Sequence, residues 1–151
     1  MLEGFRDTVE AEAVNSFWNS RAKGKLKSRP EKLGQEILGV FASAKLAGRG
    51  ALIREASSGT GFVDVLVTLS SGLLHVVELK MLRGRAVPGP TQLTAYMKHK
   101  KRAEGWLVLF DARKWNERRP VPGVIKRAAG TIRIVLIDVN PVPPSRLQEV
   151  P

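Results

Sequence analysis

The spacing of apolar residues along the first third of the chain predicts two helices. Apolar side chains recur every three or four residues through 5–20, which is the period of an amphipathic helix. A second helix is predicted to follow a basic connector and to run to about residue 47. Its start is marked by Ser28 and Glu31, which have the spacing of a capping box, with Pro30 inside the first turn.

Short apolar runs separated by turn-forming residues predict strands in the rest of the chain. A third helix, 91–104, separates the first three strands from the last two, and the basic stretch 112–130 is expected to hold a short helix at most. Apolar residues occupy both parities of the strands, which indicates a mixed sheet covered by helices on both faces. The predicted strands cover 51–56, 62–69, 73–80, 106–111 and 131–139.

The length and order of these elements predict a single α/β domain. The chain has 151 residues, enough for one core and too few for two domains of ordinary size. We divide it into an N-terminal helix with a basic connector (1–29), a core (30–139) and an irregular proline-rich tail (140–151).

The charge of the chain favours a polyanionic partner. Lysine and arginine number 25 against 14 aspartate and glutamate residues, which gives a net charge of +11. Such an excess favours a polyanionic partner, and we expect nucleic acid rather than an anionic membrane surface or an acidic protein. No apolar run approaches the length of a membrane span, so no membrane partner is expected.

The scarcity of soft metal ligands restricts the cofactors that the chain can bind. It contains no cysteine, which excludes disulfides and Cys-ligated zinc and favours a cytoplasmic location. Its two histidines are too few for a His-rich zinc site. Any metal would be held mainly by oxygen ligands, which favours Mg²⁺ or Mn²⁺.

A short loop, Ser70-Ser71-Gly72, joins the second and third predicted strands. A three-residue hairpin loop usually has glycine last, where the backbone turns left-handed, so Leu69 is predicted to pair with Leu73. Counting outward from that pair places Asp64 directly opposite Glu78, with their Cβ atoms roughly 5 Å apart.

These carboxylates and a nearby lysine are expected to form a metal site. Lys80 shares the face of Glu78 because alternate strand residues point to the same side. Two adjacent carboxylates in an apolar sheet repel each other and lose hydration, and one lysine neutralises only one of them. A divalent cation would compensate both, whereas the alternative is a strand-end ion pair. Such a cluster suits phosphodiester hydrolysis, with the metal polarising the phosphoryl group and the lysine stabilising the developing charge.

Asp64 and, after thirteen intervening residues, Glu78-Leu79-Lys80 resemble the D…ExK motif of the PD-(D/E)xK nuclease superfamily. The resemblance covers about residues 28–138. It implies the restriction-endonuclease-like fold, a three-layer α-β-α arrangement around a mixed sheet of about five strands. It also implies a metal-dependent nuclease that uses Mg²⁺, with Mn²⁺ as a substitute. Val63 stands where the family usually has proline before the aspartate.

The resemblance implies a set of metal ligands. In that family they are the aspartate, the glutamate and the backbone carbonyl after the glutamate, which correspond here to Asp64, Glu78 and Leu79. Many members add a glutamate from the helix before the sheet. Glu36 is the candidate because it borders the core-facing side of the predicted helix, and Glu55 is its rival.

The helix after the ExK motif carries a second resemblance. Gln92 and Tyr96 are four residues apart and share one helix face. They are similar to the QxxxY motif of RecB-type nucleases, whose two side chains lie beside the active site. Virus-type replication-repair nucleases, which also place a glutamine after ExK, are the second choice. The alternatives are a core aromatic for Tyr96 and an ordinary first-turn residue for Gln92.

Cations and one aromatic residue beyond the hairpin are expected to contact nucleic acid, mainly its phosphates. Arg83 and Arg85 come directly after the ExK strand and are placed to meet a phosphate near the metal. No base-reading helix is evident, so little sequence specificity is expected. The predicted contacts are Arg83, Arg85, Lys98, Lys101, Arg113, Lys114, Trp115, Arg118 and Arg119.

These features predict a Mg²⁺-dependent deoxyribonuclease. Three alternatives stay open: an RNA-directed nuclease or toxin domain of the same fold, a nucleic-acid-binding module without turnover, and a basic scaffold that uses Phe17 and Trp18 of the N-terminal helix. A homodimer and a helicase or ATPase partner are both compatible with the sequence. Endonuclease and exonuclease action are not distinguished.

Overall fold

The computed structural model describes residues 1–19, 24–54 and 65–141. Its α-helices are α1 (Leu2–Thr8), α2 (Pro30–Leu46) and α3 (Pro90–His99). Its strands are β1 (Gly50–Arg54), β2 (Val65–Leu69), β3 (Leu74–Leu82), β4 (Glu104–Asp111), β5 (Val124–Arg127) and β6 (Gly130–Asp138). None of the helices in these ranges has the length and apolar character needed to cross a membrane.

The strands form one mixed sheet in the order β1-β2-β3-β4-β6-β5. Strands β1 to β3 are antiparallel neighbours, β3, β4 and β6 run parallel, and β5 pairs with β6 as an antiparallel edge. Helix α3 makes the crossover that the parallel pair β3–β4 requires. The predicted mixed sheet is confirmed, but it has six strands rather than about five. The sequence prediction lacks β5, because Val124–Arg127 is short and mostly exposed.

Helices pack on both faces of the sheet, which is consistent with a three-layer α/β fold. Helices α1 and α2 bury their apolar residues against one face, where Val77 and Leu79 of β3 lie. Helix α3 covers the other face through Leu93 and Met97, which pack on Leu107. The two sides of β3 therefore contribute to two different cores.

The N-terminal segment is helical but not one regular helix. After α1 the chain makes a π-helical turn (Val9–Ala13) and a 3₁₀ turn (Val14–Phe17), so the predicted helix over 5–20 is correct only in outline. Phe5 and Phe17 are fully buried in the core beneath α2. This segment is thus packed on the sheet that carries the candidate site.

The capping box predicted at the start of the second helix is wrong. The residue that caps α2 is Arg29, and no side chain caps the helix by a hydrogen bond. Glu31 instead accepts a hydrogen bond from the backbone N–H of Met81, at 3.0 Å. A tertiary contact with β3 has therefore replaced the local capping box. Helix α3 likewise ends at His99, earlier than predicted, because β4 already begins at Glu104.

Candidate active site

The hairpin between β2 and β3 has the predicted register. Gly72 takes the left-handed conformation, with φ at 80°, and the Leu69 N–H donates to the Leu73 carbonyl at 2.9 Å. Val65 lies opposite Val77 at the far end of the described ladder. Asp64, the residue before β2, lies outside the described residues, as does Glu55.

Glu78 and Lys80 form an ion pair in the middle of the sheet. The Lys80 ammonium lies 3.0 Å from Oε1 of Glu78. The Glu78 side chain is 1% exposed and that of Lys80 is 17% exposed. Leu79, between them, packs its side chain into the core on the opposite face. The structure therefore brings Glu78 and Lys80 together on one side of β3, as predicted.

The start of α3 lies directly over this ion pair. Gly89 precedes the helix with φ at 99°, a conformation that favours glycine. A Cβ atom at this position would lie 3.1 Å from Cγ of Lys80 and 2.9 Å from Cδ1 of Leu107. The absence of a side chain at Gly89 thus allows the helix to begin close to both charged residues.

Gln92 and Tyr96 follow on α3. The side-chain oxygen of Gln92 is buried and accepts no hydrogen bond within the described ranges. Tyr96 is partly buried and packs against the core between α3 and the sheet. Gln92 lies three residues after Gly89, about one helical turn along α3. Its buried side-chain oxygen is a polar feature of the first turn of this helix.

Glu36 is not placed near the ion pair by any described contact. It is exposed on α2, which covers the face opposite Glu78, and it lines a shallow surface groove with Val40 and Leu52. Within the described ranges, no three Asp, Glu or His side chains gather closely enough to hold a metal ion. The metal-ligand role of Glu36 stays a prediction.

A buried ion pair at the end of β4 is absent from the sequence prediction. Arg113 donates from Nε to Oδ1 of Asp111 at 2.9 Å and from Nη2 to Oδ2 at 2.8 Å. Asp111 is 1% exposed and Arg113 3% exposed. The hydrogen bond to Asp111 raises the pKa of Arg113 above its usual value, against the opposing effect of burial. Arg113 therefore has a structural role that the nucleic-acid prediction did not include.

A second ion pair joins the segment after β4 to the end of β6. Arg118 binds both carboxylate oxygens of Asp138, at 2.9 and 2.7 Å. Its guanidinium also lies 3.9 Å from the ring centroid of Trp115, which is 61% exposed. Partial burial raises the pKa of Asp138, but the hydrogen bonds from Arg118 and Asn140 outweigh it and hold that pKa below its usual value.

Four of the nine predicted nucleic-acid contacts line one cavity. Arg83, Arg85, Arg113 and Arg119 line one cavity of about 340 Å³, together with Gly84, Asn116 and Glu117. Lys98 and Lys101 lie at the other end of α3, away from Gly89 and from this cavity. Lys114 is exposed but is not among the lining residues. Arginines that follow β3 and β4 are thus gathered in one cavity.

A family model described as a domain of unknown function (DUF8371) matches residues 1–114. The matched segment extends from the N-terminal helical segment through β4 and includes the D…ExK and QxxxY positions. No curated protein and no solved structure gave a match in the same comparisons.

Proposed function

The chain belongs to the DUF8371 family, and we propose that it is a metal-dependent nuclease that hydrolyses phosphodiester bonds of DNA. One observation carries the proposal: the buried Glu78 carboxylate lies beside the Lys80 ammonium, under the start of α3. A carboxylate is costly to bury even when paired, and such groups are concentrated at functional sites.

The proposed second carboxylate is Asp64. The described ladder pairs Val65 with Val77, so continuing the same register by one residue would set Asp64 opposite Glu78. Opposed residues on neighbouring antiparallel strands have Cβ atoms about 5 Å apart, a distance that one cation can bridge. The proposal therefore requires the hairpin to extend one residue beyond its described part.

The donor chemistry of these residues fits a hard divalent cation. Asp64, Glu78 and the Leu79 carbonyl would offer only oxygen atoms, which Mg²⁺ and Mn²⁺ prefer. A cation held by them supplies Lewis-acid activation of the phosphodiester and of an attacking water. The family resemblance also implies Glu36 as a ligand, but α2 carries it over the face of the sheet opposite Glu78, so the proposed site does not depend on it.

Lys80 and Gln92 would act directly on the substrate. The Lys80 ammonium is fixed by Glu78 and keeps part of its surface exposed, so it can donate hydrogen bonds to a phosphoryl oxygen as negative charge develops there. The Gln92 amide would orient the water or the phosphate from the first turn of α3, and Tyr96 would support that position. The start of α3 also contributes its positive dipole end to an anionic substrate.

The element order supports the restriction-endonuclease-like fold as the finer description of the architecture. A helix, three antiparallel strands, a crossover helix and a parallel strand follow one another from α2 to β4. Glu78 and Lys80 then lie on β3, and Gln92 and Tyr96 lie on the crossover helix α3. These placements support the proposed fold, in which Asp64 would precede β2.

Cleavage assays test this proposal. Plasmid, single-stranded DNA and RNA are incubated with the purified protein in Mg²⁺, Mn²⁺ or EDTA, alongside Asp64→Ala and Lys80→Ala. We expect DNA cleavage that requires the metal and falls by about 100-fold or more in both variants. Equal cleavage by the wild type and both variants would refute the site.

Two further outcomes separate the remaining possibilities. Cleavage of RNA in place of DNA would assign the same site to an RNA-directed nuclease, and binding without cleavage of any substrate would indicate a binding module. A Glu36→Gln variant tests the remaining ligand. A higher Mg²⁺ requirement would support its role, and an unchanged Mg²⁺ dependence would exclude it.

A further inference from the structure

The arginine-lined cavity lies at the carboxyl ends of the parallel strands β3 and β4. Arg83 directly follows Leu82, the last residue of β3, and Leu82 pairs with Asp111, the last residue of β4. Lys80 precedes the end of β3 by two residues, about 7 Å along the strand. In open α/β sheets, the carboxyl ends of parallel strands are the usual place for ligands. The cavity thus neighbours the proposed catalytic site on the same strand.

The cavity carries uncompensated positive charge. Arg113 is neutralised by Asp111, whereas Arg83, Arg85 and Arg119 make no side-chain ion pair or hydrogen bond within the described ranges. Glu117 is the one carboxylate among the lining residues. Three exposed guanidinium groups against one carboxylate leave a net positive cavity. Like charges around one cavity repel one another, and a bound anion would relieve that repulsion.

The backbone around Arg113 and Arg119 is held in place by partly buried hydrogen bonds. Nη1 of Arg113 donates to the Arg119 carbonyl at 3.1 Å. The Asn140 side chain donates to the carbonyls of Asp111 and Arg113, at 3.1 and 2.9 Å. This network fixes one wall of the cavity before any ligand arrives. A preformed wall lowers the entropic cost of binding.

The positive surface extends beyond this cavity. Arg83 also lines a second cavity of about 440 Å³, whose other cations are Lys25 and Lys27 of the basic connector. Both lysines are exposed. Two adjacent basic cavities that share one arginine suit a chain of phosphates better than a single small anion.

We propose that the arginine-lined cavity binds a phosphate group of a nucleic-acid strand, through Arg83, Arg85 and Arg119. Guanidinium groups bind phosphate oxygens in a bidentate manner, so three of them can together hold one phosphate group. This subsite would position the strand for cleavage. The identification of the ligand as a nucleic-acid strand rests on the proposed function, but the binding of an anion in this cavity does not.

The test is binding without cleavage, in EDTA. A labelled oligonucleotide is titrated with the wild type, with the triple variant Arg83→Gln/Arg85→Gln/Arg119→Gln, and with Arg127→Gln as the matched control. Arg127 is an exposed arginine at the carboxyl end of β5, where it pairs with Gly130 beside the turn of the β5–β6 hairpin, and it lies outside both cavities. Thermal unfolding checks that the fold is retained.

We expect the triple variant to bind at least about tenfold more weakly. Because the three arginines neutralise one phosphate, the slope of log K against log salt concentration should decrease in magnitude by about 1. Arg127→Gln should change the affinity by less than about threefold, the effect of one distant surface charge. Affinity and salt slope of the triple variant equal to those of the wild type would overturn the proposal.

Two probes distinguish the source of the phosphate. One oligonucleotide carries a 5′-phosphate and its twin a 5′-hydroxyl, and inorganic pyrophosphate serves as competitor. Tighter binding of the phosphorylated twin, lost in the triple variant, would identify a terminal phosphate. Equal binding of the twins, with the same loss in the triple variant, would identify an internal diester.

The failure of this subsite and the failure of the nuclease proposal give different results. Glu78→Gln should retain oligonucleotide binding in EDTA, where no metal is bound, while it loses cleavage in Mg²⁺. A wild type that binds through the three arginines and never cleaves would refute the nuclease alone. A nuclease whose triple variant binds normally would refute the subsite alone.

Discussion

The Lys80 ammonium lies 3.0 Å from the Glu78 carboxylate, which is 1% exposed and sits under the start of α3. The pair occupies the middle of the sheet rather than a strand end, so ordinary surface solvation does not explain the two charges. Their burial has a measurable cost to stability, and their proposed role has a measurable effect on catalysis. Measurements of stability and of cleavage on variants distinguish the structural role of the pair from its proposed catalytic role.

Removal of Lys80 alone should destabilise the fold. Lys80→Met leaves the Glu78 carboxylate buried without its ammonium partner, and we expect the free energy of unfolding to fall by about 3 kcal/mol. The double variant Glu78→Gln/Lys80→Met removes both charges and should regain at least half of that loss. Urea denaturation in EDTA measures both. A double variant less stable than Lys80→Met would show that the ion pair is not the source of the effect.

A side chain at Gly89 should disturb the contact between α3 and the ion pair. Gly89→Ala places a Cβ close to Lys80 and Leu107 at a positive φ of 99°, and we expect a loss of about 2 kcal/mol in unfolding free energy. Gly123→Ala is the control, because a Cβ there meets nothing within 4 Å. Thermal or urea denaturation measures the free energy of unfolding of both variants. Equal stability of the two variants would contradict the close approach of α3.

The buried pair at the end of β4 should matter far more than an exposed pair. Asp111→Asn leaves the Arg113 guanidinium buried beside a neutral partner, with an expected loss of about 3 kcal/mol. Glu104→Gln breaks the exposed pair with Arg133, whose atoms are 2.7 Å apart, and should cost less than about 1 kcal/mol. Denaturant titration compares them. Similar losses of unfolding free energy in both variants would show that the buried Asp111–Arg113 pair contributes no more to stability than an exposed pair.

The low pKa of Asp138 predicts a loss of stability in acid. Its folded-state pKa is below the unfolded value of about 3.9. The stabilisation is therefore fully present above that unfolded value, and it disappears as the pH falls through the folded pKa. Asp138→Asn should be less stable than the wild type at pH 7, and the gap should narrow as the pH falls towards 3. Stability curves measured from pH 7 to pH 3 test this, and a constant gap would contradict it.

Local sequence rules predicted the hairpin because its turn chemistry is self-contained. The left-handed Gly72 ends the loop, and this conformation fixes the pairing of Leu69 with Leu73 independently of the rest of the fold. From that pair, strand periodicity alone places Glu78 and Lys80 on one face. The four-residue spacing of Leu93 and Met97 likewise indicates that both lie on one face of α3, where both are buried.

Local sequence rules could not predict the features that depend on long-range contacts. Glu31 satisfies the Met81 N–H rather than its own helix, so the expected capping box does not form. The pairing of Arg118 with Asp138 joins residues 20 positions apart, and no local pattern selects that partner. Two arginines predicted to meet nucleic acid, at 113 and 118, therefore bind carboxylates. An Asp-x-Arg sequence at the end of an apolar strand is the signal that could have revealed the first of these pairs.

The nuclease proposal is tested most directly by the rate of Mg²⁺-dependent DNA cleavage by Glu78→Gln under single-turnover conditions. The substitution keeps the shape of the side chain and removes the negative charge that is proposed to hold the metal. We expect a rate at least about 100-fold below that of the wild type, with oligonucleotide binding in EDTA retained. Cleavage by Glu78→Gln at the wild-type rate and with the wild-type Mg²⁺ dependence would contradict it.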